Sequence, residues 1–426
     1  MQSVRLLFPD MKAVLTAGPP AYEGHTVARL DGKVVMLKGA IPGETVEAEI
    51  LSEKKDYSLA TTVKILEPSP ERVEPPCPHF TACGQSTVCG GCHLQYVSYP
   101  MQVGLKEEVL ASSLRRIGKL ELRLSEPLTG QPWSYRRRGQ FKISGGRAGY
   151  FVERSNRLVD IDECHLMTPE INGAFINAKN ILKSTDAREI HIFRGDKTLA
   201  LIKGRGAGQD WSHICRLLLD GGFAGVRVEA EGVNSLIFGA ERLTLDLDDL
   251  KYSVSTGSFF QSNWNLNRAL VKLVFESLSP LGGKTVLDLY SGSGNFALPV
   301  ARLARRVVAV EENRASIRDG KENARFNGID NCEFVSSGVD GFKIRERFDA
   351  AILDPPRAGV SKTGVEKILA GTPSVIVYVS CNPATLARDM GRLRKNYEVE
   401  SVRLVDFFPQ TYHIEALAVL TRRRRS

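Results

Sequence analysis

The sequence predicts an α/β protein in three parts: a doubly wound sheet over residues 256–426, a central α+β section over residues 69–255 and a small β-barrel over residues 1–68. In the last part, apolar runs alternate with helix-like stretches, as in parallel sheets. Residues 11–67 instead show short alternating strands separated by glycine-containing turns, which favours a barrel. The proline-rich stretch Pro68–Pro78 reads as the linker between barrel and central section.

The chain of 426 residues carries a net charge of +8, because 57 lysine and arginine residues outnumber 49 acidic ones. The excess is concentrated in Arg136–Arg138 and Arg422–Arg425. Basic clusters suit contacts with nucleic-acid phosphates, whereas a charge run at a chain end is more often a solvated surface. No stretch reaches membrane-spanning length. We therefore expect a soluble cytoplasmic protein, a monomer with no membrane partner.

A cysteine follows one of the apolar strands of the last part. Val375–Val379 runs directly into Ser380-Cys381-Asn382-Pro383, and a helix-like stretch comes next. A thiol just ahead of a helix gains thiolate character from the helix dipole and backbone N–H groups, so Cys381 is a candidate nucleophile. Taken alone, the tetrapeptide favours a buried structural cysteine.

A glycine-containing turn follows an earlier strand of the same part. Val286–Ala297 reads as a buried strand that turns through Gly292 and Gly294 into a helix, which lets the backbone approach a ligand closely. The next strand ends in Glu311, about twenty residues on, where a carboxylate accepts hydrogen bonds from ribose hydroxyls. The pattern predicts a nucleoside-bearing cofactor and leaves NAD and S-adenosylmethionine open, although Asp288 at the strand end favours the methyl donor.

Two further strands carry acidic residues near their ends. Phe348–Gly359 contains Asp354 in an Asp-Pro-Pro-Arg turn, and the prolines stiffen a loop of the kind that binds ligands in such sheets. Glu415 begins the last strand and faces the same crevice if that strand joins the sheet. Taken alone, the Asp-Pro-Pro run is also typical of the end of a strand, and Glu415 is more typical of a solvated residue at a sheet edge.

Five of the eight cysteines lie in the central section, at Cys77, Cys83, Cys89, Cys92 and Cys164. The glycines of Cys89-Gly90-Gly91-Cys92 allow two sulfurs to converge on a metal. In a large chain without a signal sequence, metal or cluster ligation is favoured over disulfides. The spacing fits a zinc site, with either four thiolates or three thiolates and one histidine as ligands. It also fits an iron-sulfur cluster.

The chain resembles the RNA uridine-5 methyltransferases, above all the ribosomal RNA enzymes that carry an iron-sulfur cluster. The runs that carry the resemblance occur in the family's order: Asp-Leu-Tyr-Ser-Gly-Ser-Gly-Asn-Phe from Asp288, Leu-Asp-Pro-Pro-Arg-Ala-Gly from Leu353, Val-Ser-Cys-Asn-Pro from Val379 and His-Ile-Glu-Ala from His413. The resemblance implies a Rossmann-like class I methyltransferase domain that uses S-adenosylmethionine. It implies Cys381 as the nucleophile and Glu415 as the general base, with Gln261, Tyr290, Glu311 and Asp354 contacting the methyl donor.

The same resemblance bears on the first two parts of the chain. It implies a four-iron, four-sulfur cluster, with zinc as the alternative, and a set of four ligands: Cys77, Cys89, Cys92 and Cys164. The chain departs from the family pattern by extra residues before Cys89, so Cys83 is a reserve ligand. The predicted barrel is similar to the TRAM domain, an OB-like RNA-binding module.

The chemistry explains why these residue types are needed. Carbon 5 of uracil is a poor nucleophile until a thiolate adds to carbon 6, and a base must later remove the carbon 5 proton. RNA cytosine-5 methyltransferases carry a second cysteine near the Asp-Pro-Pro turn, which this chain lacks, so uracil is the better substrate. Ribosomal RNA is expected, and transfer RNA is the alternative. A non-catalytic metal-containing RNA-binding protein and an NAD-dependent oxidoreductase remain as hypotheses from other classes.

Overall fold

The computed structural model describes residues 11–81, 89–206, 208–232 and 234–424, so Cys83 lies outside the described residues. The chain forms two compact units, each built from discontinuous segments. The first unit comprises Met1–Val109, Tyr150–Ile161 and Phe408–His413; the second comprises Leu110–Gly149, Asp162–Phe407 and Ile414–Ser426. The three-part division predicted from the sequence cuts the chain differently and stays a prediction.

A six-stranded sheet occupies the segment for which the sequence predicts a barrel. Its strands are β1 (Lys12–Thr16), β2 (Pro20–Ala21), β3 (His25–Leu30), β4 (Lys33–Lys38), β5 (Thr45–Glu53) and β6 (Tyr57–Glu67), in the order β1-β5-β6-β4-β3-β2. Alternate residues of β5, such as Val46, Ala48 and Ile50, are buried in one apolar core. The chain after β1 also returns to β3, where the Gly18 amide donates to the Val27 carbonyl (2.9 Å).

A buried ion pair fixes the segment that follows this sheet. The Glu44 carboxylate is fully buried and accepts hydrogen bonds from the backbone N–H groups of Ile41 (2.8 Å) and Ser69 (3.1 Å). It also accepts two from the Arg72 guanidinium, at 2.6 and 2.7 Å. Burial alone would raise the pKa of Glu44, but these donors outweigh it and lower the pKa.

We expect Glu44→Ala to lower the free energy of unfolding of the first unit by about 3 kcal/mol, because it leaves a buried guanidinium without its carboxylate. The urea midpoint measures the loss. The matched control is Lys12→Ala, which breaks the exposed Lys12–Glu47 pair (3.0 Å) of the same sheet and should cost under about 1 kcal/mol. Equal losses of unfolding free energy in the two variants would contradict a stabilising role for the buried Glu44 carboxylate.

Helix α1 (Tyr99–Ser113) begins in the first unit and ends in the second. The sequence pattern predicts an amphipathic helix from about Tyr99 to Gly118. The α-helix instead stops at Ser113, and Leu114–Gly118 forms a π-helical turn that ends at Lys119 in the left-handed conformation (φ 54°). Ile117, which the pattern places on the apolar side, is therefore exposed.

A second sheet lies mainly in the second unit and is covered by two helices. In this stretch of the chain β7 (Ser125–Leu128) joins a separate, eight-stranded sheet. The elements of the second sheet and its helices are β8 (Arg138–Ser144), β9 (Arg147–Phe151), β10 (Leu158–Asp160), α2 (Pro169–Leu182), β11 (Ala187–Arg194), β12 (Thr198–Gly204), α3 (Trp211–Asp220), β13 (Gly225–Ala230) and β14 (Leu236–Gly239). Within the second unit the strands run in the order β9-β8-β11-β12-β13-β14. Phe141 of β8 stacks on Phe175 of α2 with ring centroids 3.9 Å apart.

The remaining elements belong to the second unit. They are β15 (Arg242–Leu247), β16 (Leu250–Ser255), α4 (Trp264–Leu278), β17 (Thr285–Leu289), α5 (Ala297–Ala301), β18 (Arg306–Glu311), α6 (Arg314–Phe326), β19 (Cys332–Ser336), β20 (Ala350–Leu353), α7 (Lys362–Gly371), β21 (Val375–Ser380), α8 (Pro383–Leu393), β22 (Tyr397–Val405) and β23 (Glu415–Arg422). Strands β15 and β16 form a hairpin. No helix in the described ranges is both long and apolar enough to cross a membrane.

An eight-stranded sheet organises this part of the chain, in the order β19-β18-β17-β20-β21-β23-β22-β7. The strands from β19 to β21 are parallel, and β23 inserts antiparallel between β21 and β22. The carboxyl ends of the parallel strands therefore meet the amino end of β23 at one edge. Ligands bind at this edge in doubly wound sheets.

Candidate active site

The strand register brings Cys381 and Glu415 to the same point of the sheet. Strand β21 pairs with β23 so that Val379 lies opposite Leu417 and Ser380 opposite Ala416. Continuing this antiparallel register by one residue sets Cys381 opposite Glu415. Cys381 is half-buried and Glu415 is 7% exposed.

The turn that carries Cys381 is fixed by the next residue. The Asn382 side chain caps α8 by accepting hydrogen bonds from the N–H groups of Ala384 (3.0 Å) and Thr385 (3.4 Å). Its amide also donates to the Arg357 carbonyl (3.2 Å). The cap therefore ties the thiol's turn to the loop that follows β20.

Three further predicted residues lie at the ends of adjacent parallel strands. Tyr290 directly follows β17 with φ 65°, Glu311 ends β18 and Asp354 directly follows β20. The Glu311 carboxylate accepts hydrogen bonds from the N–H groups of Gly292 (3.0 Å) and Asn313 (2.8 Å). A Cβ added at Gly292, where φ is 55°, would meet no described atom within 4 Å, so the turn is open on that side.

Gln261 lies in the segment between β16 and α4 and is half-buried. Its neighbours anchor the segment: the Ser262 carbonyl accepts from the Arg137 N–H (2.9 Å), and the Asn263 amide donates to the Phe407 carbonyl (3.3 Å). Phe407 follows β22, whose last residue, Val405, pairs with Glu415. The segment is thus tied to the same edge of the sheet.

Buried carboxylates dominate the electrostatics of this edge. Burial, with the charge of Glu311, raises the pKa of Asp354 to about 7. Burial and the charge of Asp354 raise the pKa of Glu415 to about 8, although Arg357 acts in the opposite direction. Asp288 is fully buried, and burial and the charge of Asp354 raise its pKa well above the ordinary value.

The prediction that Cys381 gains thiolate character is wrong for the free protein. Burial, followed by the charges of Glu415 and Asp354, raises the pKa of the Cys381 thiol to about 11. The charge of Arg357 acts in the opposite direction but does not outweigh burial and the carboxylates. The thiol is therefore protonated at neutral pH, and a positive charge is needed nearby to make it reactive.

The comparisons with known proteins agree on one family. The family described as tRNA (Uracil-5-)-methyltransferase matches residues 236–347 and 339–423. A relative from Aquifex aeolicus named "Uncharacterized RNA methyltransferase" is 34% identical, over 96% of this chain and 99% of its own. The "23S rRNA (uracil(1939)-C(5))-methyltransferase RlmD" of Alkalilimnicola ehrlichii is 33% identical, over 94% of this chain and 95% of its own. The chain belongs to the RNA (uracil-5-)-methyltransferase family.

A solved structure shows the same fold. The Pyrococcus abyssi tRNA (uracil-54, C5)-methyltransferase, in complex with S-adenosyl-L-homocysteine, matches with a TM-score of 0.77 and 26% identity, over 96% of this chain and 99% of its own. The α/β class predicted for the sequence and its identification as an RNA uridine-5 methyltransferase are thereby confirmed.

The sequence pattern places Arg138 only in a basic cluster and assigns no role to Phe259 or Asp319. Arg138 lies over the rings of Phe193 (5.3 Å) and Phe259 (5.8 Å), and burial lowers its pKa. Phe259 itself is 64% exposed, two residues before Gln261. An exposed aromatic beside an arginine is a stacking surface. The Phe-Phe-Gln run in the sequence could have indicated Phe259, but its contact with Arg138 depends on the fold.

A buried aspartate holds this aromatic segment. Asp319 of α6 accepts hydrogen bonds from the hydroxyl groups of Ser255 (3.0 Å) and Ser258, and it pairs with Arg242 (2.7 Å). The two serines flank the turn that leads to Phe259. Asp319 is therefore a positioning residue, which its place within a helix does not reveal from sequence.

The raised carboxyl pKa values predict how stability depends on pH. Between about pH 4.5 and pH 8 the folded methyltransferase keeps a proton on Glu415 that the unfolded chain has released. Stability due to this group is present below that window and is lost as pH rises through it, with a slope of at most about 1.4 kcal/mol per pH unit.

We therefore expect Glu415→Gln to raise the melting temperature at about pH 8.5 and to change it little at about pH 4.5, because the amide stays neutral. Thermal unfolding across this range, without a methyl donor, measures the difference. Glu398→Gln, at an exposed carboxylate of β22, is the control and should show no such divergence. Parallel curves for the Glu415 variant and the parent would contradict the buried, protonated carboxyl.

The predicted metal ligands divide between the units. Cys77, Cys89 and Cys92 belong to the first unit and Cys164 to the second, and all four are half-buried. The Gly91 N–H donates to the Cys89 sulfur (3.4 Å), a contact that stabilises a thiolate. In the described ranges, no group of three or more His, Cys, Asp or Glu side chains is arranged to hold a metal ion.

Proposed function

We propose that this chain methylates carbon 5 of a uridine in RNA, with S-adenosylmethionine as the methyl donor and Cys381 as the covalent catalyst. The register that sets Cys381 opposite Glu415, at the edge that also carries Asp354, is the observation that supports it most. Neither a dehydrogenase nor a passive RNA-binding protein needs a thiol and a carboxylate together at this point.

The reaction proceeds in three steps that use this chain's residues. The Cys381 thiol releases its proton to solvent, the thiolate adds to carbon 6 of uracil, and the π electron pair of the carbon 5–carbon 6 bond moves into an enolate. Carbon 5 then displaces the methyl group from the donor sulfonium, which leaves S-adenosylhomocysteine. The Glu415 carboxylate removes the carbon 5 proton, and the carbon 6–sulfur bond breaks.

The donor site is built from residues at the parallel strand ends. Glu311 accepts hydrogen bonds from the ribose hydroxyls, and the open side of Gly292 admits the nucleoside. Gln261, Tyr290 and Asp354 contact the remainder of the donor. The donor carries positive charge on its sulfonium and ammonium groups, which suits an edge rich in buried carboxylates.

Donor binding also activates the nucleophile. A positive charge beside Asp354 and Glu415 lowers the pKa of both carboxyl groups, so that Glu415 becomes an effective base. The same charge offsets the repulsion that raises the pKa of Cys381. Without donor, the protonated thiol is protected from unproductive chemistry.

The substrate is a uridine of 23S ribosomal RNA. Two relatives that match over nearly the full length carry that name, from Alkalilimnicola ehrlichii and Marinomonas sp.. Transfer RNA is the second candidate, because the Pyrococcus abyssi relative is a tRNA methyltransferase. In either RNA, the uracil leaves its stack to admit thiol and donor, and Phe259 with Arg138 offers a stacking surface for it.

The first unit contributes RNA binding and three of the four proposed cluster ligands. Its N-terminal sheet serves as the TRAM module, and Cys77, Cys89, Cys92 and Cys164 hold a four-iron, four-sulfur cluster. An all-thiolate donor set suits an iron-sulfur cluster, and the Gly91 N–H at the Cys89 sulfur would stabilise a thiolate ligand there. Iron, sulfide and zinc analysis of anaerobically purified protein separates the cluster from a zinc site.

The proposal is tested with transcripts of 23S ribosomal RNA and transfer RNA that contain 5-fluorouridine. Fluorine cannot leave carbon 5 as a proton does, so the enzyme should stay bonded to the RNA in a denaturant-stable conjugate that forms only with donor. Peptide mapping should find the bond at Cys381, and the reactive transcript identifies the substrate. A 5-fluorocytidine transcript is the control and should not react. No conjugate with either uridine transcript would refute the covalent scheme.

A further inference from the structure

A cavity of about 540 Å³ lies within the first unit and is lined by none of the residues assigned to the proposed reaction. Its size falls in the range of ligand sites, about 300–1,000 Å³. Its walls include four aromatic or imidazole rings, those of His93, Phe151, Tyr412 and His413, and polar side chains such as Arg154 and Asn156. Nothing in the proposed reaction uses these side chains.

Three of the rings form a cluster in which neighbouring ring planes are tilted or edge-to-face, at 48° between His93 and Tyr412 and 61° between Tyr412 and His413. The Tyr412 ring centroid lies 4.2 Å from that of His93 and 4.7 Å from that of His413. Tyr22 contacts Tyr412 from the sheet at 6.3 Å, edge to face. The rings of His93, Tyr412 and His413 are half-buried and line the cavity. Such rings bind nucleobases of any sequence by stacking.

Hydrogen bonds hold the backbone of the segments that carry these rings. The Gln410 carbonyl accepts hydrogen bonds from the N–H groups of His93 (2.8 Å) and Leu94 (3.1 Å). The Gln102 side chain bonds to Gln410 twice, accepting from its N–H (2.9 Å) and donating to its side-chain oxygen (3.0 Å). Lys106 donates to the Phe408 carbonyl (3.0 Å). The ring cluster is therefore ordered before a ligand binds, so binding loses little conformational entropy of these side chains.

The rim of the cavity suits a sugar-phosphate backbone. Arg154 is exposed, and its only described ion pair, with Glu23 (3.0 Å), is also exposed. Exposed pairs contribute little stability, so the guanidinium can turn to a phosphate at small cost. Ser155 and Asn156 beside it are exposed and offer hydrogen bonds to sugar and base edges.

We propose that this cavity binds an unpaired nucleotide of the RNA substrate, distinct from the uridine that is methylated. The base stacks on the ring of Tyr412 and contacts the flanking rings of His93 and His413, and the phosphate lies at Arg154. The inference rests on the proposed function for the identity of the ligand as RNA. The residues proposed to bind this nucleotide belong to the first unit, and Cys381 belongs to the second.

The test uses the intact protein and an unmodified ribosomal RNA transcript. Ultraviolet irradiation of the complex, followed by mass spectrometry, should give nucleotide cross-links on the peptide that contains Tyr412 and His413. The cross-linked nucleotide should differ from the one that carries 5-methyluridine after reaction. Cross-links confined to other peptides would overturn the proposal, and this result needs no variant.

Variants supply an independent readout. Tyr412→Ala should weaken RNA binding by roughly 5- to 100-fold, as expected for loss of one stacked base, while Tyr412→Phe should bind like the parent. Phe326→Ala removes an exposed aromatic residue of the second unit, to which no role in RNA binding or catalysis is assigned, and is the control. Unchanged RNA affinity in a folded Tyr412→Ala protein would overturn the proposal.

The two proposals fail in different ways. If cross-links form at Tyr412 or His413 but no 5-methyluridine and no fluorouridine conjugate is found, the cavity stands and the reaction does not. If methylation occurs with full RNA affinity in Tyr412→Ala, the reaction stands and the cavity assignment falls.

Discussion

Cys381→Ala is expected to reduce RNA methylation by on the order of 10⁴-fold or more, because no other group can add to carbon 6 and activate carbon 5. Binding of S-adenosylhomocysteine should persist, since the donor residues Tyr290, Glu311 and Asp354 follow other strands. Calorimetry measures donor binding, and transfer of a labelled methyl group measures activity.

The control for this variant is Cys332→Ala. Cys332 begins β19 in the same sheet, and burial followed by the charge of Asp288 raises its pKa to about 12. Its replacement should leave methyl transfer within a few-fold of the parent. Substantial methylation by the Cys381 variant, or an equal loss in both variants, would exclude a covalent role for Cys381.

Glu415→Gln is expected to stop the reaction at a later point. Addition and methyl transfer do not need the Glu415 base, but removal of the carbon 5 proton does, so turnover should fall by about 10²- to 10⁴-fold. The methylated RNA should remain bonded to Cys381. Single-turnover reactions with labelled donor, resolved under denaturing conditions, should show label in a protein–RNA conjugate.

Glu398→Gln again serves as the control and should release free methylated RNA. If the Glu415 variant instead accumulates neither conjugate nor product, the carboxylate acts before methyl transfer. If it turns over at the parental rate, a different base removes the proton. Either result would remove Glu415 from the role proposed for it.

Much of this edge could be predicted from local sequence. Apolar runs that stop at Tyr290, Asp354 and Cys381 mark strand ends, and Glu311 ends its own strand, as the structure has them. Such runs are local signals, because a buried parallel strand needs continuous apolar residues. The same logic identified the glycine turn after β17.

The features that depend on tertiary pairing could not be predicted. No local pattern shows that β23 inserts beside β21, and that insertion is what sets Glu415 opposite Cys381. The thiol pKa was predicted in the wrong direction for the same reason, since the carboxylates that raise it come from other strands. Likewise, nothing in the run before Glu415 reveals that Phe408–His413 belongs to the first unit.

That assignment has a practical consequence for deletion experiments. The first unit is completed by two short stretches, Tyr150–Ile161 and Phe408–His413, that return from far along the polypeptide. A truncated protein that begins at Leu110 would retain both stretches without the residues that pack against them. A loss of solubility or activity in that protein would then reflect newly exposed surface rather than the missing function of the first unit. Point substitutions, not terminal truncation, are the sound way to dissect this enzyme.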